Sequence, residues 1–332
     1  MPAPAIGLST QIFNNKLKSG ILLAGFPVLL LLMTGGFVAG MDAMTQSAAM
    51  HYTNAGLDWH RSLNTGIDGV KQYGHWAILA AGGWFIIAYF FHGQMMRMAT
   101  GSVPITHQQM PRLYNTLENL CISRGIPMPQ FELIDSPALN AFATGINQKS
   151  YKIVLTQGLI DSLKDDELES VIGHELTHIM NKDVRLLIIS VIFVGMISFF
   201  CHMVFRMLVN GGRRSRSNDN KNGGAILLLA LVILMIGYLF AIVIRFALSR
   251  RREYLADAGS VELTKNPEAM MRALLRIAGN DTVAGMPGDV QQMCIENSHN
   301  FMGIFATHPS IGDRVQTISA MTGTPIPERT AS

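Results

Sequence analysis

The 332-residue chain is short of charge: Asp, Glu, Lys and Arg together make up 15% of it, against roughly 25% in soluble domains. Hydrophobic residues supply 49%. The imbalance argues against an ordinary soluble enzyme and for a chain that meets a lipid bilayer. Cysteine is scarce as well. The three present (Cys121, Cys201 and Cys294) are dispersed and odd in number, which excludes a disulfide framework and a cysteine-type zinc site. A net charge of only +3 leaves no case for a nucleic-acid partner.

Long apolar runs, by contrast, are abundant. A helix crossing a bilayer needs about 20 mostly apolar residues, because lipid offers backbone polar groups no partners. Four stretches approach or meet this: residues 21–40, 76–91 (WAILAAGGWFIIAYFF), 186–205 and 225–244 (AILLLALVILMIGYLFAIVI). The 76–91 run is the shortest. Lys16 and Lys18 precede the first run, as in a signal peptide. Its apolar part exceeds the roughly 7–15 residues of a signal h-region, so an uncleaved anchor is expected.

These runs divide the chain into four parts. Residues 1–92 read as a transmembrane hairpin and 185–248 as a second one. Residues 93–184 and 249–332 are polar enough to fold outside lipid. An even number of crossings puts both polar parts on one side, together with Lys16, Lys18, Arg97, Lys182, Arg185, Arg250, Arg251 and Arg252. Arg61, Lys71 and the loop 210–224 (NGGRRSRSNDNKNGG) fall on the other. The balance favours a cytoplasmic side for the polar parts, and the basic residues of that loop weigh against it.

The chemistry is concentrated in 166–183, DELESVIGHELTHIMNKD. Leu168, Val171, Ile172, Leu176 and Ile179 recur at helical spacing, and Asp166 with Glu169 has the form of a capping box. His174 and His178 are i and i+4, so both imidazoles lie on one face about one turn apart. Zinc takes imidazole nitrogen readily, and Glu175 sits where a general base for a bound water is needed. A chance HExxH arises on the order of once in a hundred such chains, so a third ligand decides the matter.

SRRREYLADAG, residues 249–259, offers one. Glu253 supplies an anionic ligand, and Asp257, one turn on, can accept the outer N–H of a ligand imidazole, His174 foremost. Alone, the segment reads more readily as an exposed helix with internal ion pairs. Its position argues for the metal. His178 precedes one apolar run by a few residues and Glu253 follows the next, so a membrane hairpin returns Glu253 to the side of the histidines.

Taken together, LYNTLENLCISRGIPMPQFELIDSPALNAFATG, IVLTQGLIDSLKDDELESVIGHELTHIMNKD, SRRREYLADAG and FATHPSIGDRV resemble the HtpX-type membrane zinc metalloproteases, relatives of the CaaX prenyl-protein proteases. The resemblance covers most of residues 100–320. It implies one Zn2+ on His174, His178 and Glu253, with Glu175 as catalytic base. It also implies a bacterial inner membrane location and a role in quality control of damaged membrane proteins. NAFATG falls where the family has a strand lining the active-site cleft, so Asn140, Ala141, Phe142 and Ala143 are implied as cleft residues. His308, just before Pro309 at the expected first position of a helix, is implied as an oxyanion stabiliser.

The expected architecture is therefore a mainly α membrane protein. It has four transmembrane helices and a zincin-like α+β catalytic domain with a small sheet. Residues 131–135, 141–144 and 151–156 read as its strands, bounded by Pro, Gly and Asn turns. An exposed edge there would pair with an extended polypeptide, whereas a closed hairpin would be structural. Two other functions compete with a polypeptide-cutting enzyme. Processing of prenylated tails is disfavoured because those relatives carry more membrane helices. A zinc-stabilised scaffold or chaperone has no use for Glu175.

Overall fold

A computed structural model describes residues 30–43, 58–189, 251–278 and 309–328, with isolated positions 17, 21, 24–25, 27–28, 45–46 and 206. The described residues fall in two compact units, one between residues 20 and 88, the other holding 89–189, 251–278 and 309–328.

In the first unit, helix α1 (Leu30–Ala43) packs antiparallel on the start of helix α2 (Trp59–Thr100). Glycine makes this possible. A Cβ at Gly66 would stand 2.8 Å from the Gly35 carbonyl oxygen and 2.9 Å from the Ala39 Cβ, so the two backbones meet only because no side chain intervenes. Polar groups close one end of the pair. Ser62 Oγ donates to Asp42 Oδ2 (3.0 Å), and Gln46 Nε2 donates to Ser62 Oγ (2.9 Å).

Helix α2 contains the expected 76–91 run and extends beyond it at both ends. It runs for 42 residues, about 63 Å at 1.5 Å per residue and twice the hydrocarbon thickness of a bilayer. His60, Arg61, Asp68 and Lys71 ended the hydropathy run without ending the helix, whose backbone bonds are satisfied whatever the side chains. Its apolar side chains point outward, with Trp76 65%, Leu79 63% and Phe90 75% exposed. Among the described residues, α2 is the one helix long and apolar enough to cross a membrane. Of the expected 21–40 span, residues 30–40 lie in α1 and the other described positions, 21, 24–25 and 27–28, are helical too. Of the second hairpin, 186–189 is described and helical, and the rest of 186–205 and all of 225–244 lie outside the described residues.

The second unit is built on a sheet of β1 (Val103–Pro104), β2 (Gln130–Ile134), β3 (Ala141–Thr144) and β4 (Lys152–Thr156), in the order β1-β2-β4-β3. Strand β4 inserts parallel to β2, with Phe131 opposite Ile153. Strand β3 pairs with β4 antiparallel and ends the sheet. The end of α2 is pinned to this sheet through buried Glu132, which accepts from Lys152 Nζ (2.5 Å), Arg97 Nε (2.6 Å) and Ser102 Oγ (2.7 Å).

Helix α3 (Pro111–Arg124) starts on a proline and stops at Gly125, which takes the left-handed conformation at φ 63 that favours glycine. Its Leu113, Tyr114, Leu117, Leu120 and Cys121 are buried, and the Tyr114 ring meets Phe131 edge-on at 5.3 Å. Helix α4 (Gln157–Ser162) leads into α5 (Asp165–Met180). Glu167, rather than the expected Glu169, turns back to cap α5, its Oε2 accepting from the Lys164 amide at 3.0 Å. Helices α6 (Arg251–Thr264), α7 (Pro267–Ile277) and α8 (Ile311–Thr322) complete the unit.

Met270, Met271 and Leu274 of α7 form a core with Ile311, Val315 and Ile318 of α8. Arg272 and Arg276 reach buried Glu167 at 3.3 and 3.0 Å, tying α7 to the start of α5. Pro309 lies just outside its helix rather than at the first position. Ser310 is the cap, accepting from the Asp313 amide at 3.1 Å.

Candidate metal centre

Helices α5 and α6 lie antiparallel and close. Ser260 Oγ donates to the Ser170 carbonyl at 2.5 Å, and a Cβ added to Gly259 would stand 2.7 Å from Thr177 Oγ1. This approach brings Glu253 to both histidines, and Asp257 to the outer side of His174. His174 Nε2 and His178 Nε2 are 3.2 Å apart. Glu253 Oε2 is 3.7 Å from the first and 3.8 Å from the second. All three side chains are buried.

That triangle has the size a metal ion requires. The circle through three atoms so spaced has a radius of about 2.1 Å, the bond length of zinc to imidazole nitrogen and carboxylate oxygen. Two imidazoles and one carboxylate also leave a fourth position for water or substrate, as hydrolytic sites do.

The outer face of each imidazole is occupied by a carboxylate. Asp257 Oδ1 is 3.0 Å from His174 Nδ1, and Asp183 Oδ2 is 3.0 Å from His178 Nδ1. A proton on each Nδ1 donates to its aspartate and leaves the Nε2 lone pair facing the centre. Behind Asp257 stands Arg314, 1% exposed. Its Nη2 donates to Asp257 Oδ1 at 2.6 Å and its Nε to Oδ2 at 2.9 Å.

The charges act strongly on one another. Burial opposes the imidazolium of His178, yet Glu253 and Asp183 outweigh it and push its pKa up to about 10. This is a strong pull for a cation at that point. Burial pushes the carboxyl of Glu175 up and Glu253 adds to the push, against His174, His178 and Arg314, which draw it down; the balance leaves it raised. Burial would raise Asp257 too, but Arg314 and His174 hold it below its ordinary value.

Glu175 is 2% exposed and follows His174 on α5. Asn140, Ala141, Phe142 and Ala143 are all buried at the start of β3, which packs against α5. The Asn140 Oδ1 accepts from the Ala141 amide at 2.9 Å, and its carbonyl accepts from the Thr156 amide at 3.1 Å, fastening β3 to β4. His308 lies outside the described residues.

Two residues of the site escaped the sequence reading. Asp183 is in HELTHIMNKD and Arg314 in FATHPSIGDRV. A second Asp close behind the histidine pair was an available signal; Arg314, in an amphipathic helix beside Asp313, gave none.

An HExxH helix joined by a glutamate from a second helix, with a buried glutamate beside the first histidine, is the arrangement of a metallopeptidase. Comparison with known proteins agrees and is more specific. Residues 107–322 match peptidase family M48. A Bacteroides fragilis protein named Protease HtpX homolog is 41% identical over 322 residues, 93% of this chain and 97% of its own. A Listeria monocytogenes protein of the same name is 33% identical over 331 residues, 95% of this chain and 100% of its own. The crystal structure of S. mikatae Ste24p aligns with a TM-score of 0.46 at 18% identity, over 83% of this chain and 64% of that one, so the chain spans just under two thirds of that structure. The chain belongs to peptidase family M48 and is a metalloprotease.

Proposed function

We propose that the chain is a membrane-embedded zinc endopeptidase, with His174, His178 and Glu253 as ligands and Glu175 as general base. The observation that carries this reading is the convergence of two imidazole nitrogens and a carboxylate oxygen within 4.8 Å of one another, beside a buried glutamate. Zinc supplies a Lewis acid there and a water of lowered pKa, towards roughly 7.

The protein's own groups do the rest. The carboxylate of Glu175 takes a proton from the attacking water and delivers it to the leaving amine. Asp257 holds the ring of His174, and Arg314 holds Asp257. By the family resemblance, His308 donates to the oxyanion, and Asn140 to Ala143 border the cleft in which the polypeptide lies.

Substrates in this reading are unfolded or damaged membrane proteins and the exposed tails of others. The outward apolar surface of α2 supports a bilayer location, and so do the apolar runs that follow His178 and precede Glu253 in sequence. Location in the bacterial inner membrane with the site on the cytoplasmic side rests on the Lys and Arg balance and on the family resemblance. A non-catalytic scaffold leaves Glu175 without a use, and tail processing of prenylated proteins has no observation in its favour.

Wild type and Glu175→Gln, purified in detergent with matched zinc content, are to be compared on an unfolded test polypeptide. The expected loss is about 10²–10⁴-fold, the usual contribution of a general base, with zinc retained. Equal cleavage by both proteins would remove Glu175 from the reaction.

A further inference from the structure

We propose that Asp183 is a positioning residue of the metal centre, setting the tautomer and rotation of His178 as Asp257 does for His174. The inference rests on the assignment of His178 as a ligand and goes beyond it.

Helix α5 ends at Met180. Had it continued, Asp183, five positions after His178, would point about 140° away from it around the axis. The chain instead turns at Lys182, whose φ of 61 is left-handed, a conformation that residues with a Cβ disfavour. The turn is fixed by the Asn181 amide donating to the Thr177 carbonyl at 2.9 Å and the Lys182 amide donating to Ile179 at 3.1 Å. Helical backbone resumes at 183. The result is an Asp183 side chain that is fully buried and stands 3.0 Å from His178 Nδ1. Lysine held in a left-handed turn, at the place where that turn re-aims a carboxylate, is local strain of the kind found at functional sites.

The two histidines are thus held by equivalent bonds of different origin. Asp257 comes from another helix and is clamped by Arg314. Asp183 comes from the same segment as its histidine and is aimed by the backbone. With Nδ1–H committed to Asp183, the Nε2 lone pair of His178 has one direction, towards His174 Nε2 and Glu253 Oε2.

The test measures zinc binding by the full chain in detergent, using competition with a chromogenic chelator, for wild type, Asp183→Asn, Asp183→Ala, Asp183→Glu and His178→Ala. Asp183→Asn keeps the volume of the side chain and guards against misfolding of the alanine variant. Removal of such a partner weakens metal binding about 10–100-fold, so Kd rises by that factor in the Asn and Ala variants and is partly recovered in the Glu variant. The visible bands of the cobalt-loaded protein shift in Asp183→Asn, a signature that a purely structural aspartate would not move. Wild-type Kd and an unchanged cobalt spectrum in Asp183→Asn, with zinc lost from His178→Ala, would overturn the role of Asp183 alone. Wild-type binding by His178→Ala would overturn the ligand assignment beneath it.

Discussion

Arg314 and Asp257 face each other as a two-point ion pair, 2.6 and 2.9 Å, each residue 1% exposed. The pair lies directly behind His174. It links α8, at the far end of the second polar part, to the ring of His174 on α5, a proposed metal ligand.

Truncation of Arg314 leaves the Asp257 carboxylate buried without its counter-charge. Breaking a buried pair in this way costs about 3–5 kcal/mol. Arg314→Ala is therefore expected to lose that much stability to urea, and Arg314→Lys, which keeps the charge but not the two-point geometry, to lose less. A difference under about 1 kcal/mol, the usual worth of an exposed pair, would show that the pair is solvated.

The depressed pKa of Asp257 gives stability a defined acid dependence. The native state binds this proton less readily than the unfolded chain. The contribution is therefore complete above the unfolded value near 3.9 and is lost as pH falls through the lower folded value. In excess chelator, the stability gap between wild type and Asp257→Asn is expected to be widest above the unfolded value of about 3.9 and to narrow as pH falls below it. A gap that widens on acidification would reverse the sign of the assignment.

Gly259 of α6 lies directly against Thr177 of α5. Gly259→Ala drives a methyl into Thr177, and overpacking of this kind costs about 1–3 kcal/mol. The variant should also bind zinc more weakly, since Glu253 is carried away with α6. Thr177→Ala, harmless or mildly destabilising alone, should recover part of both losses in the double variant. Additive effects, measured as a double-mutant cycle of melting and zinc affinity, would separate the two sites.

Ile86 is 58% exposed on α2. Ile86→Arg places a charge on the apolar stretch, where insertion costs roughly 2.5–3.5 kcal/mol. The expected outcome is a reduced share of the protein in the carbonate-resistant membrane fraction. An unchanged share would mean that this face does not meet lipid.

The parts legible in the sequence were those set by local pattern. Short apolar runs between Pro, Gly and Asn marked β2, β3 and β4 to within two residues, and the spacing of Leu168, Val171, Ile172 and Leu176 marked α5. What stayed hidden depended on contacts distant in sequence or on unusual backbone. Insertion of β4 between β2 and β3 leaves no trace in either strand's composition. Arg314 reads as one more charged residue of an amphipathic helix until α8 is packed against α6. Asp183 was hidden because Lys182 lacks the glycine that usually announces a left-handed turn. The reach of α2 back to Trp59 was missed because hydropathy detects lipid, and helices outlast it.

In the proposed ligand set the third member, Glu253, comes from a helix far along the chain, and this has a mechanical consequence. An ion bridging His178 and Glu253 staples shut a loop of roughly 75 residues, a restraint whose entropic worth grows with loop length. Metal supply then adds to structural integrity. Substituting a proposed ligand removes that restraint as well as the activity, whereas Glu175 can be changed with the staple intact. For this reason an inactive but folded form, able to hold a polypeptide without cutting it, is to be made at Glu175 and not at the histidines.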